Sequence, residues 1–218
     1  ECPVSRPRAV LVGAAGAGKT AVGTLLAQRW SLPFRDTDAD IAHVTGASPG
    51  DILVLSGEAE FRRRERAAVQ SALRSAGVVA IGGSAPSDPD VRAAISAAGS
   101  PVVWLRVTPP NAVARTGLNV PRPVGLGNVR AQVSALMKLL EPHYATLATL
   151  VVDTDYQTLS DVVDTVIAGL TPGATVAEPS GESAEPAESE YAVEAATSTD
   201  FGDDSPPSPH STASEGEQ

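Results

Sequence analysis

Residues 8–20 of this chain are RAVLVGAAGAGKT. A short apolar run leads into G-x-x-x-x-G-K-T, which begins at Gly13 and is followed by helix-forming residues. Between a strand and a helix, this motif is the phosphate-binding loop of P-loop proteins. Its glycines let backbone N–H groups and the positive end of the next helix point at a polyphosphate. The motif predicts that Lys19 reaches the β- and γ-phosphates of a nucleotide and that the Thr20 hydroxyl ligates Mg²⁺.

The C-terminal segment differs sharply in composition from the rest of the chain. Residues 171–218 contain eleven acidic residues and no Lys or Arg, whereas residues 1–170 hold all 16 basic residues and 15 acidic ones. The net charge of −10 therefore belongs to the C-terminal segment. Because such a segment has too little apolar surface to offset its ordering entropy, we predict a folded domain over 1–170 and a disordered acidic tail over 171–218. A spacer role for the tail is favoured over docking on a partner.

Composition also excludes several functional classes. The nearly neutral body does not indicate nucleic acid as a main partner, and no run of 18 apolar residues predicts a membrane span. Cys2 is the only cysteine, so no intramolecular disulfide can form, which fits a reducing compartment. No export leader is expected before the first strand. We therefore expect a cytoplasmic protein.

Apolar strands alternate with amphipathic helices along the body. Strands are predicted over 9–12, 33–36, 78–81, 102–107 and 150–152, and helices over 19–30, 38–44, 49–55, 58–76, 88–98, from 108, 129–147 and 159–170. Asp88 and Thr108 are predicted to cap helices that begin with a proline. Residues 117–127 are predicted to form an exposed, mobile loop. The alternation predicts an α/β fold with a five-stranded parallel sheet flanked by helices on both faces.

Polar residues follow the predicted second strand. Asp36-Thr37-Asp38 lies sixteen residues beyond Thr20, at the carboxyl edge of the sheet where α/β proteins bind ligands. A carboxylate near a P-loop threonine is typical of a Mg²⁺ site, so Asp36 is the candidate metal ligand. Asp38 is expected to point elsewhere, toward the neighbourhood of the γ-phosphate.

Further motifs carry a resemblance to a known family. The chain contains G-E-A-E-F-R over 57–62, Gly82-Gly83 after the third strand, and Arg115-Thr116-Gly117 followed by Arg122-Pro123. At these spacings from the P-loop and the D-T-D sequence, the chain resembles the shikimate kinase family, in its actinobacterial type, over about residues 8–170. The resemblance implies a nucleoside-monophosphate-kinase-like fold with a mobile lid, a monomeric state, and Mg·ATP-dependent phosphorylation of the shikimate 3-hydroxyl in aromatic amino-acid biosynthesis.

The resemblance also implies residue roles. The ATP phosphates would be held by consecutive loop residues, namely Gly16, Ala17, Gly18, Lys19, Thr20 and Ala21. Thr20 and Asp36 would hold Mg²⁺, and Asp38 would bind the substrate hydroxyls and accept the proton. Arg62 would pair with the shikimate carboxylate beside Gly82 and Gly83, and Glu65, one helical turn on, could hold that guanidinium in place. Arg122 would reach the phosphates from the lid, and Arg115 would lie near the adenine; Lys19, Asp38 and Arg122 are the catalytic candidates.

Three departures from the family pattern concern the substrate and adenine sides. Leu140 stands where the family has a second substrate-binding arginine, Ser84 replaces the third glycine after the third strand, and residues 155–157 lack a basic residue. Losing one partner of a desolvated carboxylate typically costs about 2–5 kcal/mol. Three hypotheses remain open: a weakly binding shikimate kinase, a related kinase of another hydroxylated small molecule, or a non-catalytic nucleotide-binding descendant that acts through a partner.

Overall fold

The computed structural model of the protein describes residues 6–117 and 129–171. Within these residues the strands are β1 (Pro7–Val12), β2 (Phe34–Asp36), β3 (Gly77–Ala80), β4 (Val102–Arg106) and β5 (Leu150–Asp153). The helices are α1 (Lys19–Trp30), α2 (Thr37–Thr45), α3 (Pro49–Ala72), α4 (Pro89–Ala98), α5 (Pro109–Arg115), α6 (Val129–Leu147) and α7 (Leu159–Leu170). A short 3₁₀ helix, Ala85–Ser87, was not predicted from the sequence.

The five strands form one parallel sheet in the order β2-β3-β1-β4-β5. The predicted fold class is therefore confirmed. The central strand β1 is buried on both faces, and Ala9 through Val12 have no solvent-accessible surface. Since successive side chains of a strand point to opposite faces, such a continuous apolar run is what a sheet covered on both sides requires.

Alternate residues of each strand enter two separate apolar layers. On one face, Leu11 and Leu105 pack with α1 and α7. On the other face, Val10 and Trp104 pack with α3, α4 and α6. The P-loop and the D-T-D sequence follow the carboxyl ends of β1 and β2, so both lie at the edge of this packed sheet.

Helices α2 and α3 pack against each other through a small apolar cluster of their own. Ile41, Ile52 and Phe61 form its buried centre. The two helices predicted over 49–55 and 58–76 are joined in α3, but Gly57 has non-helical angles (φ 82°, ψ 168°) that divide it. The helix also ends at Ala72, earlier than predicted, because turn hydrogen bonds take over at Arg74 and Ser75.

The predicted helix caps had different outcomes. The Asp88 side chain accepts a hydrogen bond from the Asp90 N–H and caps α4, as predicted. Thr108 precedes α5, but its side chain makes no cap hydrogen bond. Pro110, the second residue of α5, has no N–H to donate, which removes one of the two usual donors to such a cap and leaves only that of Asn111.

Several sequence-based predictions fall outside the described residues. They are the disordered tail beyond Thr171, the central part of the loop over 117–127, and Arg122. Among the helices that the structure describes, none combines the length and apolar character needed to cross a bilayer.

Candidate active site

The P-loop wraps tightly because three of its glycines adopt positive φ angles. These are Gly13 (144°), Gly16 (80°) and Gly18 (88°), and Gly18 is the N-cap of α1. A Cβ on Gly13 would collide with the carbonyl oxygen of Leu105, and one on Gly16 would lie 2.7 Å from that of Ala112. The loop therefore presents backbone rather than side chains at the start of α1, where helix N–H groups attract anions.

Lys19 lies across this loop. Its Nζ donates to the carbonyl oxygens of Gly13 at 2.8 Å and Ala14 at 3.1 Å. Burial lowers the pKa of Lys19, and the nearby carboxylates of Asp38 and Asp36 oppose that shift. The ammonium group is thus close to the P-loop backbone at the start of α1, where a polyphosphate would bind.

Thr20 and Asp36 come together from different elements. The Thr20 hydroxyl donates to Asp36 Oδ2 at 2.7 Å, while Asp36 Oδ1 accepts from the Asp38 N–H at 3.0 Å and caps α2. Two oxygens held this way fit a divalent cation that draws its other ligands from phosphate and water. No cluster of three or more His, Cys, Asp or Glu side chains in residues 6–117 and 129–171 could hold a metal alone.

Asp38 sits in the first turn of α2, directly against the end of β3. A Cβ on Gly82 would lie 2.5 Å from Asp38 Oδ1, and the Gly82 N–H donates to the buried Thr37 hydroxyl at 2.9 Å. Burial raises the pKa of Asp38, Asp36 adds to the shift, and Lys19 opposes it. The carboxyl group is therefore both positioned and more basic than an exposed aspartate.

Arg62 extends from α3 toward the same edge. Its Nη1 donates to Glu65 Oε2 at 2.6 Å. The Arg62 side chain is 25% exposed and that of Glu65 is 1% exposed, so the guanidinium is held by a carboxylate buried beneath the surface. Burial raises the pKa of Glu65, and hydrogen bonds from Arg62 and Ser84 oppose the shift.

Gly83 links three parts of the site. A Cβ on Gly83 would lie 3.3 Å from the Ala15 N atom of the P-loop. The P-loop is therefore in close contact with the turn formed by Gly82 and Gly83, called the glycine turn below. Its carbonyl oxygen accepts a 2.6 Å hydrogen bond from the Tyr144 hydroxyl of α6. The phosphate loop, the glycine turn and α6 are thereby held in fixed relation.

Arg115 lies on the other side of the P-loop. It donates to the Thr154 carbonyl oxygen at 2.6 Å, to the Thr154 hydroxyl at 2.9 Å and to the Gly16 carbonyl oxygen at 3.4 Å. Asp155 accepts from the Thr108 N–H and from the Asn111 side chain. These contacts join the loops that follow β4 and β5 beside the phosphate cradle.

Comparison with known proteins adds the decisive observation. The sequence profile described as Shikimate kinase matches residues 15–171, most of the chain. The chain belongs to the shikimate kinase family. It is 46% identical to a shikimate kinase of Frankia casuarinae over 164 residues, covering 75% of this chain and 72% of that protein. It is 45% identical to a shikimate kinase of Thermobifida fusca over 163 residues, covering 74% and 94%.

Solved structures agree with this assignment. Shikimate kinase from Acinetobacter baumannii in complex with shikimate matches with a TM-score of 0.66 at 29% identity, over 75% of this chain and 91% of that one. Shikimate kinase from Bacteroides thetaiotaomicron matches with a TM-score of 0.61 at 26% identity, over 74% and 97%. The resemblance inferred from the motifs is confirmed.

Leu140 stands at the position where the family resemblance implies a second substrate-binding arginine. The side chain is 4% exposed and belongs to the apolar layer formed by α3, α4 and α6. It lies one helical turn before Tyr144, whose hydroxyl reaches Gly83. Leu140 is therefore a core residue of α6, one turn before the residue that bonds to Gly83.

The structure brings together most of the residues predicted for the site. The P-loop, Asp36, Asp38, Arg62 and the glycine turn converge on one edge of the sheet, whereas Arg122 lies outside the described residues. Sequence reasoning missed Tyr144 as a contact of the glycine turn, and it left Ser84 without a role. Only the fold reveals the partner of Tyr144, because Gly83 lies 61 positions away in the sequence.

Proposed function

We propose that this chain transfers the γ-phosphoryl group of Mg·ATP to the 3-hydroxyl of shikimate. The observation that carries the proposal is the convergence of Lys19, the Thr20–Asp36 pair, Asp38 and Arg62 at one edge of the sheet. Phosphoryl transfer depends on in-line positioning and neutralised charge more than on covalent chemistry by the enzyme. This set of residues supplies both.

The nucleotide side follows from the P-loop. Backbone N–H groups from Gly16 to Ala21 bind the phosphates at the start of α1, and Lys19 turns from its carbonyl partners toward the β- and γ-phosphates. Thr20 and Asp36 hold Mg²⁺, which neutralises charge on the transferred phosphoryl group when bound. Arg115 lies on the adenine side, and Arg122 is the predicted lid cation that reaches the phosphates.

The acceptor side begins at Asp38. Its carboxylate, held against Gly82, orients the acceptor hydroxyl and takes its proton as the new P–O bond forms. The bond between the γ-phosphorus and the bridging oxygen of ATP breaks, and ADP leaves. A pKa raised by burial makes Asp38 a better proton acceptor than an exposed aspartate.

Arg62 binds the carboxylate of the acceptor. A planar guanidinium suits bidentate recognition of a carboxylate. Because Leu140 supplies no second cation, we expect shikimate to bind about 30-fold or more weakly than it would with an arginine there, which corresponds to about 2 kcal/mol or more.

Leu140 also favours a second candidate function. A less acidic hydroxylated small molecule would not need the second guanidinium. Both candidates use the same nucleotide site and the same proton acceptor, so only the acceptor molecule distinguishes them.

The test is steady-state ADP release with Mg·ATP, with and without millimolar shikimate. Wild type, Leu140→Arg and Leu140→Met are compared, the last variant preserving side-chain size without adding charge. Shikimate-dependent turnover in the wild type, with a KM lowered by Leu140→Arg and unchanged by Leu140→Met, supports the proposal. If ATP binds but no variant responds to shikimate, the proposal fails and other acceptors or a protein partner must be sought.

The setting of the reaction is part of the same proposal. We expect the enzyme to work in the cytoplasm, where ATP is available, and as a monomer, the state that the family resemblance implies. Sedimentation velocity at micromolar concentration measures the second point. Nucleic acid and membrane surfaces are not expected partners.

A further inference from the structure

Residues 82–84, which follow β3 and Ile81, do not share one steric requirement. A Cβ at position 82 would collide with the Asp38 carboxylate, and one at position 83 would press on the P-loop backbone. Ser84, by contrast, has ordinary right-handed angles (φ −86°, ψ −14°) that suit any residue. The backbone does not require glycine at position 84, so the Ser84 side chain is free to take a role of its own.

The Ser84 hydroxyl closes a triangle of hydrogen bonds. It donates to Glu65 Oε1 at 3.1 Å and accepts from Arg62 Nη1 at 3.2 Å, while the same Nη1 donates to Glu65 Oε2 at 2.6 Å. The single hydroxyl proton is used on Glu65 and an oxygen lone pair on Arg62. All three side chains are therefore held in one geometry, with the buried carboxylate at its base.

The edge of the guanidinium that carries Nη2 and Nε takes no part in this triangle. Among the described residues, no hydrogen bond is formed by Arg62 Nη2, and Nε lies 3.6 Å from the exposed carboxylate of Glu58. The edge that carries Nη2 and Nε is thus the one that can meet an anion. Fixing Nη1 reduces the rotamer freedom that the arginine loses when it binds a ligand.

Ser84 and Leu140 alter the same part of the site. Tyr144, one turn beyond Leu140, reaches Gly83, the neighbour of Ser84. Leu140 takes the place of a cation that would share the substrate carboxylate. Ser84 adds a hydrogen bond to Arg62, the cation that remains. We propose that the Ser84 hydroxyl is a positioning group that holds Arg62 ready for the substrate carboxylate and so partly offsets the absence of an arginine at position 140.

The inference rests on the proposed function, and its test uses four proteins: wild type, Ser84→Ala, Arg62→Lys and the double variant. We expect Ser84→Ala to raise KM for shikimate about 3- to 10-fold, the usual effect of one hydrogen bond, while kcat and KM for ATP change less than about twofold. Lysine has no Nη1, so Ser84→Ala should raise KM no further in the Arg62→Lys background.

Two further variants separate the alternatives. Ser84→Gly should raise KM as much as Ser84→Ala does, because both remove the hydroxyl. Ser87→Ala should leave KM unchanged, since Ser87 lies in the same turn and no hydrogen bond joins it to Arg62 or Glu65 in the described residues. A lower KM in Ser84→Gly would mean that the serine only crowds the substrate, and an unchanged KM in Ser84→Ala would mean that it is merely tolerated; either result overturns the inference.

Urea unfolding of the same four proteins gives a readout that does not depend on shikimate. If Ser84 is bonded to the Arg62–Glu65 pair, the midpoint losses of Ser84→Ala and Arg62→Lys will not add in the double variant. If the midpoint losses of the two single variants add in the double variant, Ser84 is not bonded to the Arg62–Glu65 pair. Absence of shikimate turnover in the wild type, together with non-additive unfolding, would overturn the proposed function and leave the triangle standing.

Discussion

At the scale of single residues, Gly82 shows how closely the backbone approaches the carboxylate of Asp38, the proposed proton acceptor. We predict that Gly82→Ala lowers kcat/KM at least tenfold. The added Cβ would lie 2.5 Å from Asp38 Oδ1 and must therefore displace that oxygen. The crowding should also destabilise the fold by about 1–3 kcal/mol. ADP release and urea unfolding measure the two effects.

Gly50→Ala is the matched control for that substitution. Its added Cβ would meet only the Ser48 hydroxyl at 3.8 Å, an ordinary contact, and alanine favours the helix there. Activity should stay at the wild-type level and stability should hold or increase. Equal losses in the two variants would show that Gly82 is not special.

Glu65 makes stability depend on pH. Burial raises its pKa in the folded state, so folding favours the protonated form and stability is lost as the pH rises through that pKa. We predict that the free energy of unfolding of wild type, minus that of Glu65→Gln, decreases as the pH rises above the ordinary glutamate pKa of about 4.3. An increase over that range would mean that the ion pair with Arg62 outweighs the cost of burial.

At the scale of secondary-structure elements, Gly57 divides α3 into two segments, and the second segment carries Arg62 and Glu65. The angles of Gly57 lie in a region that only glycine enters readily. We predict that Gly57→Ala and Gly57→Asn each destabilise the protein by about 1–3 kcal/mol, although the position has open space around it.

Gly46 provides the comparison for that prediction. It ends α2 with left-handed angles (φ 70°, ψ 7°) that asparagine tolerates. Gly46→Asn should therefore cost clearly less than Gly57→Asn in chemical denaturation. If the two asparagine variants lose equal stability, the unusual ψ of Gly57 carries no special cost.

The sequence predicts elements well where local chemistry determines them. The P-loop, the alternating strands and the Asp88 cap all follow from short-range patterns. Thr108 is the N-cap residue of α5, but its side chain makes no cap hydrogen bond, and the proline at the second helical position leaves it one donor fewer. The bond from Tyr144 to Gly83 and the triangle around Ser84 join residues 61 and 22 positions apart, so they arise only when the fold brings distant segments together.

At the scale of the whole molecule, charge is segregated along the chain. The acidic residues beyond residue 170 give the protein its net charge of −10, whereas the preceding part carries nearly equal numbers of acids and bases. The site residues named above all precede that segment. Its contribution to catalysis can therefore be tested by removing it.

We predict that deletion of residues 172–218 leaves kcat, both KM values and the melting temperature within experimental error of the full chain. Thr171 is kept because its hydroxyl donates to the Ile167 carbonyl oxygen at the end of α7. ADP release and calorimetry provide the comparison. A loss of activity or stability on deletion would favour the hypothesis in which the tail acts through a partner.

The contact between Trp104 and Tyr144 has a practical consequence. The two ring centroids lie 5.9 Å apart, and the tyrosine is bonded to Gly83 at the substrate turn. The only other tryptophan, Trp30, lies beneath the guanidinium of Arg8 and can be replaced by phenylalanine. A Trp30→Phe protein would then carry a single tryptophan, in contact with the tyrosine that bonds to Gly83, so that selective excitation of Trp104 could follow the binding of candidate small molecules without nucleotide and without turnover.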